Sequence, residues 1–264
     1  MEFKYGKNEL YHADELIAVG DIHGEDKKLE DILNQVTPLL DNNPNCHIVF
    51  CGDLCNRGPN SARVFELLID LKKKYPDQAF FIMGNHEEML ITTLQGESWW
   101  TEYTFSTWDS VQAFVGEPLL SVQEFVKACL DIGIVDFIDN LIPYYENDSY
   151  ICTHAPLDRS VCHMHGLQYY SDSFGKDDAG QKYFLESLGR GLRWEFTMED
   201  PKLCRIPDMK KYHICGHQFK HHKQPRLLRH RAFIDVGCGA RSDKPLVAVR
   251  FPGNKVYRSF SKPI

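Results

Sequence analysis

The stretch Leu16-Ile17-Ala18-Val19-Gly20-Asp21-Ile22-His23-Gly24 joins a short apolar run to a loop that carries a carboxylate and an imidazole. Two later segments repeat this pattern. Gly52-Asp53-Leu54-Cys55-Asn56-Arg57-Gly58 follows the apolar run 47–51, and Gly84-Asn85-His86-Glu87 follows the run 80–83. Apolar runs of this length, bounded by Gly and polar residues, predict buried strands. Because open α/β sheets place their chemistry where strands end, the sequence predicts that these polar side chains meet at one sheet edge.

Helical spacing of apolar residues follows each of the three loops. Leu29, Ile32 and Val36 recur at this spacing until Pro38, and similar patterns cover 64–71 and 89–94. The alternation predicts a βαβαβα start with a partly parallel sheet. Five later strands are predicted in an antiparallel or mixed sheet, at 149–153, 213–215, 232–236, 246–251 and 256–260.

An aromatic-rich segment at about 96–142 separates the two halves and predicts a helical insertion. Its helices are expected near 110–115 and 121–138. The aromatic side chains either fill the core or form a wall of a substrate groove. The chain as a whole, 1–264, is expected to form a single domain with this insertion.

Composition limits the function classes. The formal net charge of -7 disfavours stable nucleic acid binding, which usually needs a basic surface. Residues 1–15 lack the apolar region of a signal peptide, and no apolar run approaches the roughly 18 residues of a membrane helix. Several of the nine cysteines lie in apolar strand runs, as reduced cysteines do. We therefore expect a cytoplasmic protein without a membrane partner.

Two later histidines also end predicted strands, and they enlarge the set of candidate metal ligands. The full set is Asp21, His23, Asp53, Asn85, His154 and His217. Carboxylate, imidazole and amide ligands together suit manganese, iron, zinc or magnesium rather than calcium alone. The set is too large for one catalytic metal that keeps an open position. Two metals that share a carboxylate are therefore expected.

The motifs, in their order along the chain, resemble the phosphoprotein phosphatase group of the calcineurin-like metallophosphoesterases. They are Asp21-x-His23-Gly24, Gly52-Asp53-x-x-Asn56-Arg57-Gly58, Gly84-Asn85-His86-Glu87, His154 and Gly216-His217. The resemblance covers roughly residues 20 to 240. It implies an α/β fold with a central β-sandwich of mixed sheets flanked by helices. It also implies a phosphoester hydrolase with two divalent metal ions, with manganese expected first and iron, zinc or magnesium as alternatives.

The resemblance further implies a role for each residue. Asp21 and His23 would hold the first metal, Asp53 would bridge, and Asn85, His154 and His217 would complete the second. A hydroxide shared by the two metals would attack phosphorus directly, with His86 as the general acid. Arg57 and Arg193 would bind the phosphoryl oxygens, and Arg190 and Arg205 are the alternatives to Arg193.

The substrate is the open question at this stage. Protein phosphatases of the group usually carry Asp at the position of Asn56, where it orients the catalytic histidine; Asn56 can accept a hydrogen bond from His86 but brings no charge. Asn56-Arg57-Gly58-Pro59 and Ile234-Asp235-Val236-Gly237-Cys238-Gly239 are similar to the symmetrical diadenosine tetraphosphatases instead. His23 and Glu87 favour bacterial and phage protein phosphatases. Glu87 itself is expected to favour the dipole of its helix.

The first expectation is therefore a Ser/Thr-type protein phosphatase that acts on a phosphorylated protein or peptide. The alternative is a symmetrical diadenosine tetraphosphate hydrolase, with a dinucleoside polyphosphate as substrate. A non-catalytic, metal-free binding protein of the same fold is the alternative from another class.

Overall fold

The computed structural model describes residues 10–96, 101–156, 211–217 and 224–260. The helices in these ranges are α1 (Asp26–Asn42), α2 (Ser61–Lys74), α3 (Asn85–Leu94), α4 (Thr101–Val115), α5 (Val122–Asp131) and α6 (Ile134–Asp139). The first six strands are β1 (Leu10–Tyr11), β2 (Glu15–Val19), β3 (Cys46–Phe50), β4 (Ala79–Phe81), β5 (Tyr144–Asn147) and β6 (Tyr150–Thr153). The others are β7 (Tyr212–Cys215), β8 (Arg226–Leu227), β9 (Arg231–Phe233), β10 (Val247–Phe251) and β11 (Lys255–Arg258).

One sheet has five strands in the order β11-β10-β2-β3-β4. Strands β2, β3 and β4 are parallel neighbours, and β10 is antiparallel to both β2 and β11. Val19 lies opposite Phe50, which in turn lies opposite Phe81, so the three parallel strands end at the same level. The loops that follow them therefore leave the sheet at one edge, as the sequence predicts.

The other sheet has six strands in the order β1-β5-β6-β7-β9-β8. Strands β6, β7 and β9 are parallel, and β5 and β8 pair antiparallel with β6 and β9. Thr153 lies opposite Cys215, which brings the chain after β6 next to the chain after β7. The expected mixed sheet is present, but the strand predicted at 232–236 ends at Phe233. The strands predicted at 246–251 and 256–260 are β10 and β11, which belong to the five-stranded sheet because β10 pairs with β2.

The two sheets pack face to face, and helices cover the outer face of the five-stranded sheet. Leu16 and Val49 pack between the sheets against Ile214, whereas the alternate residues Ile17 and Ile48 pack with residues of α1 and α2. Strands that are buried on both faces consist of continuous apolar residues, which explains the runs in the sequence. The β-sandwich of mixed sheets flanked by helices is therefore confirmed.

The helices differ from the sequence expectation in three places. The helix expected near 110–115 is α4, which begins at Thr101. Helix α1 continues through Pro38 to Asn42, because Leu40 in its last turn is buried in the core. The helix predicted over 121–138 is two helices, α5 and α6, separated at Gly133, whose φ of 81° is accessible without strain only to glycine. None of the helices in the described ranges has the length and apolarity of a membrane span.

Candidate active site

Asp53 is the centre of the predicted ligand set. Its Oδ1 lies 3.3 Å from Nε2 of His154, and its Oδ2 lies 3.5 Å from Nε2 of His23. Two groups of potential ligand atoms, each within 4.8 Å of one another, share this carboxylate: one adds His23 and His86, the other His154 and His217. The two oxygens of one buried carboxylate therefore face two separate clusters of imidazoles, which is the arrangement that a bridging ligand needs.

The cluster from the six-stranded sheet brings several lone pairs together. Nδ1 of His154 lies 2.7 Å from the backbone oxygen of Cys51 and must donate to it, so Nε2 of the neutral ring carries a lone pair. This Nε2 lies 3.0 Å from Oδ1 of Asn85, and Nδ1 of His217 lies 3.1 Å from both atoms. Acceptor atoms at these separations repel one another unless a cation or a proton lies among them. The donor set therefore fits a divalent cation.

The cluster from the five-stranded sheet has a similar orientation of its histidine. Nδ1 of His23 lies 3.2 Å from the backbone oxygen of Cys55, which leaves the lone pair of the neutral ring on Nε2. This Nε2 faces Asp53 and lies 3.0 Å from Nη1 of Arg57. The ring of His86 packs edge-on against that of His23 at 4.7 Å.

Asp21 lies beside the two clusters rather than within either group. Its carboxylate accepts the backbone N–H of His217 at 3.0 and 3.2 Å, and thereby joins the loop after β2 to the loop after β7. Gly216 makes this contact possible, because a Cβ on Gly216 would lie 2.3 Å from Oδ1 of Asp21. The placement of Asp21 as a ligand of the first metal remains a prediction.

The site loops hold strained backbone. Six non-glycine residues in the described ranges have positive φ, and five of them are site residues. They are His23 (51°), Asp53 (52°), Asn56 (68°), Arg57 (65°) and His217 (60°). Each such residue costs of order 1 kcal/mol, so the surrounding contacts must stabilise these conformations.

Glu87 provides much of that stabilisation. Its carboxylate is fully buried and accepts four backbone N–H groups: those of Gly84 and Asp53 at 2.9 Å on Oε2, and those of Leu54 and Cys55 at 2.8 and 3.2 Å on Oε1. The expectation that Glu87 mainly favours the helix dipole was therefore too limited. A Glu three residues after the N-cap is the signature of a capping box, and this signal predicts the bond to Gly84 but not the bonds to the neighbouring loop.

Asn56 donates a hydrogen bond to His86, whereas it was expected from the sequence to accept one. Its Nδ2 lies 3.1 Å from Nδ1 of His86 and 3.3 Å from the backbone oxygen of His86, while its Oδ1 accepts the hydroxyl of Thr107 at 2.6 Å. A backbone oxygen only accepts, so the NH₂ group of Asn56 faces His86 and donates. Thr107 belongs to α4 in the insertion and is fully buried. Nothing in the sequence distinguishes it from other helical threonines.

Burial sets most of the ionisation states in the site. It lowers the pKa values of His23 and His86, which are therefore neutral near pH 7 and offer lone pairs. Burial also tends to raise the pKa of Asp53, but in acid the protonated imidazoles around it, that of His154 first, outweigh this effect and hold the pKa below its usual value. Burial, followed by the charges of Asp235 and Asp53, raises the pKa of Asp21 well above its usual value.

Asp235 is a further buried carboxyl at the site that the ligand patterns did not identify. Its Oδ1 accepts the N–H of Gly237 at 2.7 Å, and burial raises its pKa to about 7 against the effect of that hydrogen bond. Its charge is the largest electrostatic contribution to the raised pKa of Asp21. The sequence signal was the stretch 234–239, which carried a resemblance but no assigned role.

Of the four arginines considered for phosphate binding, one lies in the described residues and three do not. Arg57 is exposed and lies at the cluster of His23 and His86. Arg193 and its alternatives Arg190 and Arg205 lie outside the described residues. Their role in phosphate binding remains a prediction.

Comparison with known proteins places this geometry in context. Residues 15–220 match the model of the calcineurin-like phosphoesterases. The asymmetrical bis(5'-nucleosyl)-tetraphosphatase PrpE of Oceanobacillus iheyensis is 26% identical over 246 residues, which is 89% of this chain and 87% of that protein. The PP2A-like serine/threonine-protein phosphatase PPG1 of Candida albicans is 40% identical over 78 residues, which is 30% of this chain and only 18% of the length of PPG1.

A solved structure with a provisional assignment as a diadenosine tetraphosphatase superimposes with a TM-score of 0.56. The superposition covers 99% of this chain and 100% of the other, at 18% sequence identity. At that identity the likeness shows the shared fold.

Proposed function

Because the chain belongs to the calcineurin-like phosphoesterase family, we propose that it hydrolyses phosphoric esters or anhydrides with two divalent metal ions bound around Asp53. The observation that carries the proposal is the placement of the Asp53 carboxylate, whose two oxygens face the His23 cluster and the His154 cluster. A site for one metal would need only one of these clusters. We also propose that the chain forms a single domain, 1–264, with its helical insertion near the site.

The residues present fit two metal sites. His23 and Asp53 would hold the first metal with Asp21, and Asn85, His154 and His217 would hold the second with Asp53. Two divalent cations, when bound, lower the pKa of a water molecule and offset the negative charge of a phosphoryl group. Manganese is proposed first because the ligands are mixed oxygen and imidazole, with iron, zinc and magnesium as alternatives.

The side chains around these sites perform the remaining steps. Arg57 carries a planar guanidinium that can bind two phosphoryl oxygens at once, and its exposure leaves it accessible to substrate. Arg193 is proposed as the second phosphate-binding side chain. His86 belongs to the His23 cluster, where its ring can donate a hydrogen bond or a proton to the oxygen of the leaving group.

Two substrate classes have specific support. The PPG1 likeness, which is confined to 30% of the chain, supports a phosphorylated serine or threonine in a protein or peptide. The PrpE likeness extends over 89% of the chain and supports a dinucleoside tetraphosphate. Because the second match spans nearly all of both proteins, it favours the dinucleotide for this chain. The sequence expectation placed the phosphoprotein first, and a direct assay of both substrates decides between them.

The test is a manganese-dependent turnover assay with an EDTA control. The substrates are diadenosine tetraphosphate and peptides that carry phosphoserine, phosphothreonine or phosphotyrosine. Chromatography of the nucleotide products separates symmetrical cleavage to two ADP from asymmetrical cleavage to AMP and ATP. Faster release of phosphate from the peptides would restore the phosphoprotein to first place.

The same preparation also tests the metal-free alternative. A protein that purifies without metal, and that manganese does not activate on any of these substrates, would be a binding protein of this fold rather than a hydrolase.

The seven cysteines in the described ranges are all buried and free, which supports the proposal of a reducing, cytoplasmic location.

A further inference from the structure

A hydrogen-bonded chain runs from the insertion to the proposed acid. The hydroxyl of Thr107 donates to Oδ1 of Asn56 at 2.6 Å, and Nδ2 of Asn56 lies 3.1 Å from Nδ1 of His86. Thr107 also accepts the backbone N–H of Asn56 at 3.1 Å and lies 3.0 Å from Oγ of Ser61. Asn56, Ser61 and Thr107 are all fully buried. The amide therefore has partners on both sides and no contact with bulk water.

These partners fix which way the amide of Asn56 points. The backbone oxygen of His86, 3.3 Å from Nδ2, can only accept a hydrogen, and the hydroxyl of Thr107 supplies one to Oδ1. Reversing the amide would place two acceptors against each other at His86 and remove the acceptor of the Thr107 hydroxyl. Buried polar atoms without partners cost roughly 1–3 kcal/mol each, so the observed orientation is strongly preferred.

An N–H donor against Nδ1 decides the tautomer of His86. Nδ1 must present its lone pair to Nδ2 of Asn56, so the hydrogen of the neutral ring resides on Nε2. A carboxylate at position 56 would do the reverse, because it would accept a hydrogen from Nδ1 and stabilise the doubly protonated ring.

We propose that Thr107 is a positioning residue that acts through Asn56 to hold His86 as the Nε2–H tautomer, and that the site therefore favours substrates whose leaving groups depart as stable anions. Such substrates are phosphoric anhydrides and aryl phosphates, rather than the alkyl phosphates of serine and threonine. This inference rests on the proposed hydrolase function and on the placement of His86 at the leaving oxygen.

The chemistry of the step explains the preference. The oxygen of water forms a bond to phosphorus, the bond from phosphorus to the leaving oxygen breaks, and that oxygen takes the bonding electron pair, while a proton of the water passes to solvent. A neutral imidazole can stabilise the departing anion with a hydrogen bond from Nε2. Full transfer of its only N–H hydrogen would leave an imidazolate, so an alkoxide, which needs a complete proton, gains much less.

The first arm of the test measures kcat/KM with manganese for a series of aryl and alkyl phosphates, together with diadenosine tetraphosphate. For the wild-type protein we expect a steep dependence on leaving-group acidity, with the alkyl phosphates slower by about 100-fold or more, the range of one general acid. Asn56→Asp should make kcat/KM depend less steeply on leaving-group acidity. It should also narrow the difference in kcat/KM between aryl and alkyl phosphates by about tenfold. A shallow dependence that Asn56→Asp leaves unchanged would overturn the proposal.

Variants of Thr107 test the positioning step. Thr107→Val removes the hydroxyl at nearly constant volume, so Oδ1 of Asn56 loses its buried donor and the observed amide orientation is less strongly preferred. The difference in kcat/KM between aryl and alkyl phosphates should therefore narrow by about fivefold. Thr107→Ser keeps a hydroxyl and should restore the wild-type selectivity. Thr104→Val is the matched control: Thr104 is buried on the same helix, but its hydroxyl lies 3.2 Å from that of Thr93. If Thr104→Val changes selectivity as much as Thr107→Val, the effect is one of helix packing and the proposal is wrong.

Nitrogen NMR of ¹⁵N-histidine-labelled protein provides a readout that does not depend on activity. The zinc-loaded protein is diamagnetic, and the signals of His86 are identified by their absence in His86→Asn. We expect a protonated Nε2 and an unprotonated Nδ1 at mildly alkaline pH. If Thr107→Val does not fold, a protonated Nδ1 in the wild-type protein would still overturn the proposal.

The kinetic and NMR measurements together separate the inference from the function it rests on. Hydrolysis with the Nδ1–H tautomer, or without dependence on the leaving group, refutes the inference and leaves the hydrolase standing. An Nε2–H tautomer in a protein that hydrolyses none of these substrates refutes the proposed function and, with it, the preference for leaving groups.

Discussion

The two sheets contribute to the site in different ways. The loops after the parallel strands of the five-stranded sheet are bonded to one another: the N–H groups of Ile22 and His23 both donate to the backbone oxygen of Asp53, at 2.9 and 2.8 Å. Glu87 adds four more hydrogen bonds to the same region. These contacts form a framework that holds Asp53 in place from within the loops of the five-stranded sheet.

The six-stranded sheet supplies the proposed ligands His154 and His217, whose contacts lead back into that framework. Nδ1 of His154 donates to the backbone oxygen of Cys51, and the N–H of His217 donates to Asp21. Both partners belong to loops of the five-stranded sheet. Damage to the framework in the five-stranded sheet should therefore affect both proposed metal sites, whereas damage to the six-stranded sheet should affect one.

The largest effect is expected for Asp53→Asn. The substitution removes the negative charge that both clusters share, and several kcal/mol of metal binding and charge stabilisation depend on it. We expect kcat/KM with manganese to fall by about 10³-fold or more, and metal analysis to find neither ion retained after gel filtration. Wild-type activity in this variant would refute the bridging role and, with it, the shared framework.

A smaller effect is expected for His154→Gln, which damages only the cluster from the six-stranded sheet. The loss of one imidazole ligand should reduce kcat/KM by about 100-fold and leave one metal ion per chain, because the His23 cluster is untouched. Metal content is the decisive measurement. If His154→Gln loses both ions, as Asp53→Asn should, then the two sheets do not form separable sites.

Glu87→Gln tests the framework without substituting a proposed metal ligand. The amide would turn an N–H donor toward backbone N–H groups that now meet a carboxylate, and we expect a loss of about 3 kcal/mol in the free energy of unfolding. We also expect kcat/KM to fall by about tenfold as the Asp53 loop loosens. Glu88→Gln is the matched control, since Glu88 is the next residue of the same helix but is less buried. Equal losses in the two variants would show that the helix, and not the loop contact, is responsible.

These contrasts also explain what the sequence could and could not predict. Asp53 and His154 follow apolar runs, so strand ends placed both at the site before any geometry was known. Glu87 stabilises a loop 33 residues away through backbone N–H groups, which carry no sequence signal. Thr107 contacts Asn56 only because α4 packs on α2 and α3, and helical spacing does not specify that packing.

Local rules failed where the core decided the outcome. Pro38 predicts the end of a helix because it lacks an N–H group, yet α1 continues beyond it to bury Leu40. Asn56 was expected to accept a hydrogen bond from His86, and the orientation of its amide depends on Thr107, which lies 51 residues away. Such outcomes depend on tertiary partners rather than on neighbouring residues.

The smallest effect concerns the pH dependence of the six-stranded sheet. His213 in β7 is fully buried, its Nε2 lies 2.8 Å from Oγ1 of Thr153, and its Nδ1 has no hydrogen-bond partner among the described residues. Burial, and then the charge of Arg231, lowers the pKa of His213 well below 6.5. The folded protein therefore keeps this ring neutral at a pH where the unfolded chain binds a proton. The stabilisation is complete above pH 6.5 and is lost as the pH falls below it.

His213→Gln should remove this dependence while its amide can still donate to Thr153. Between about pH 6.5 and 5.5, urea unfolding of the EDTA-treated proteins should show the wild type losing roughly 1 kcal/mol more than the variant. His12→Gln is the control for the loss of a histidine that is exposed. Equal slopes in wild type and His213→Gln would place the acid sensitivity elsewhere in the molecule.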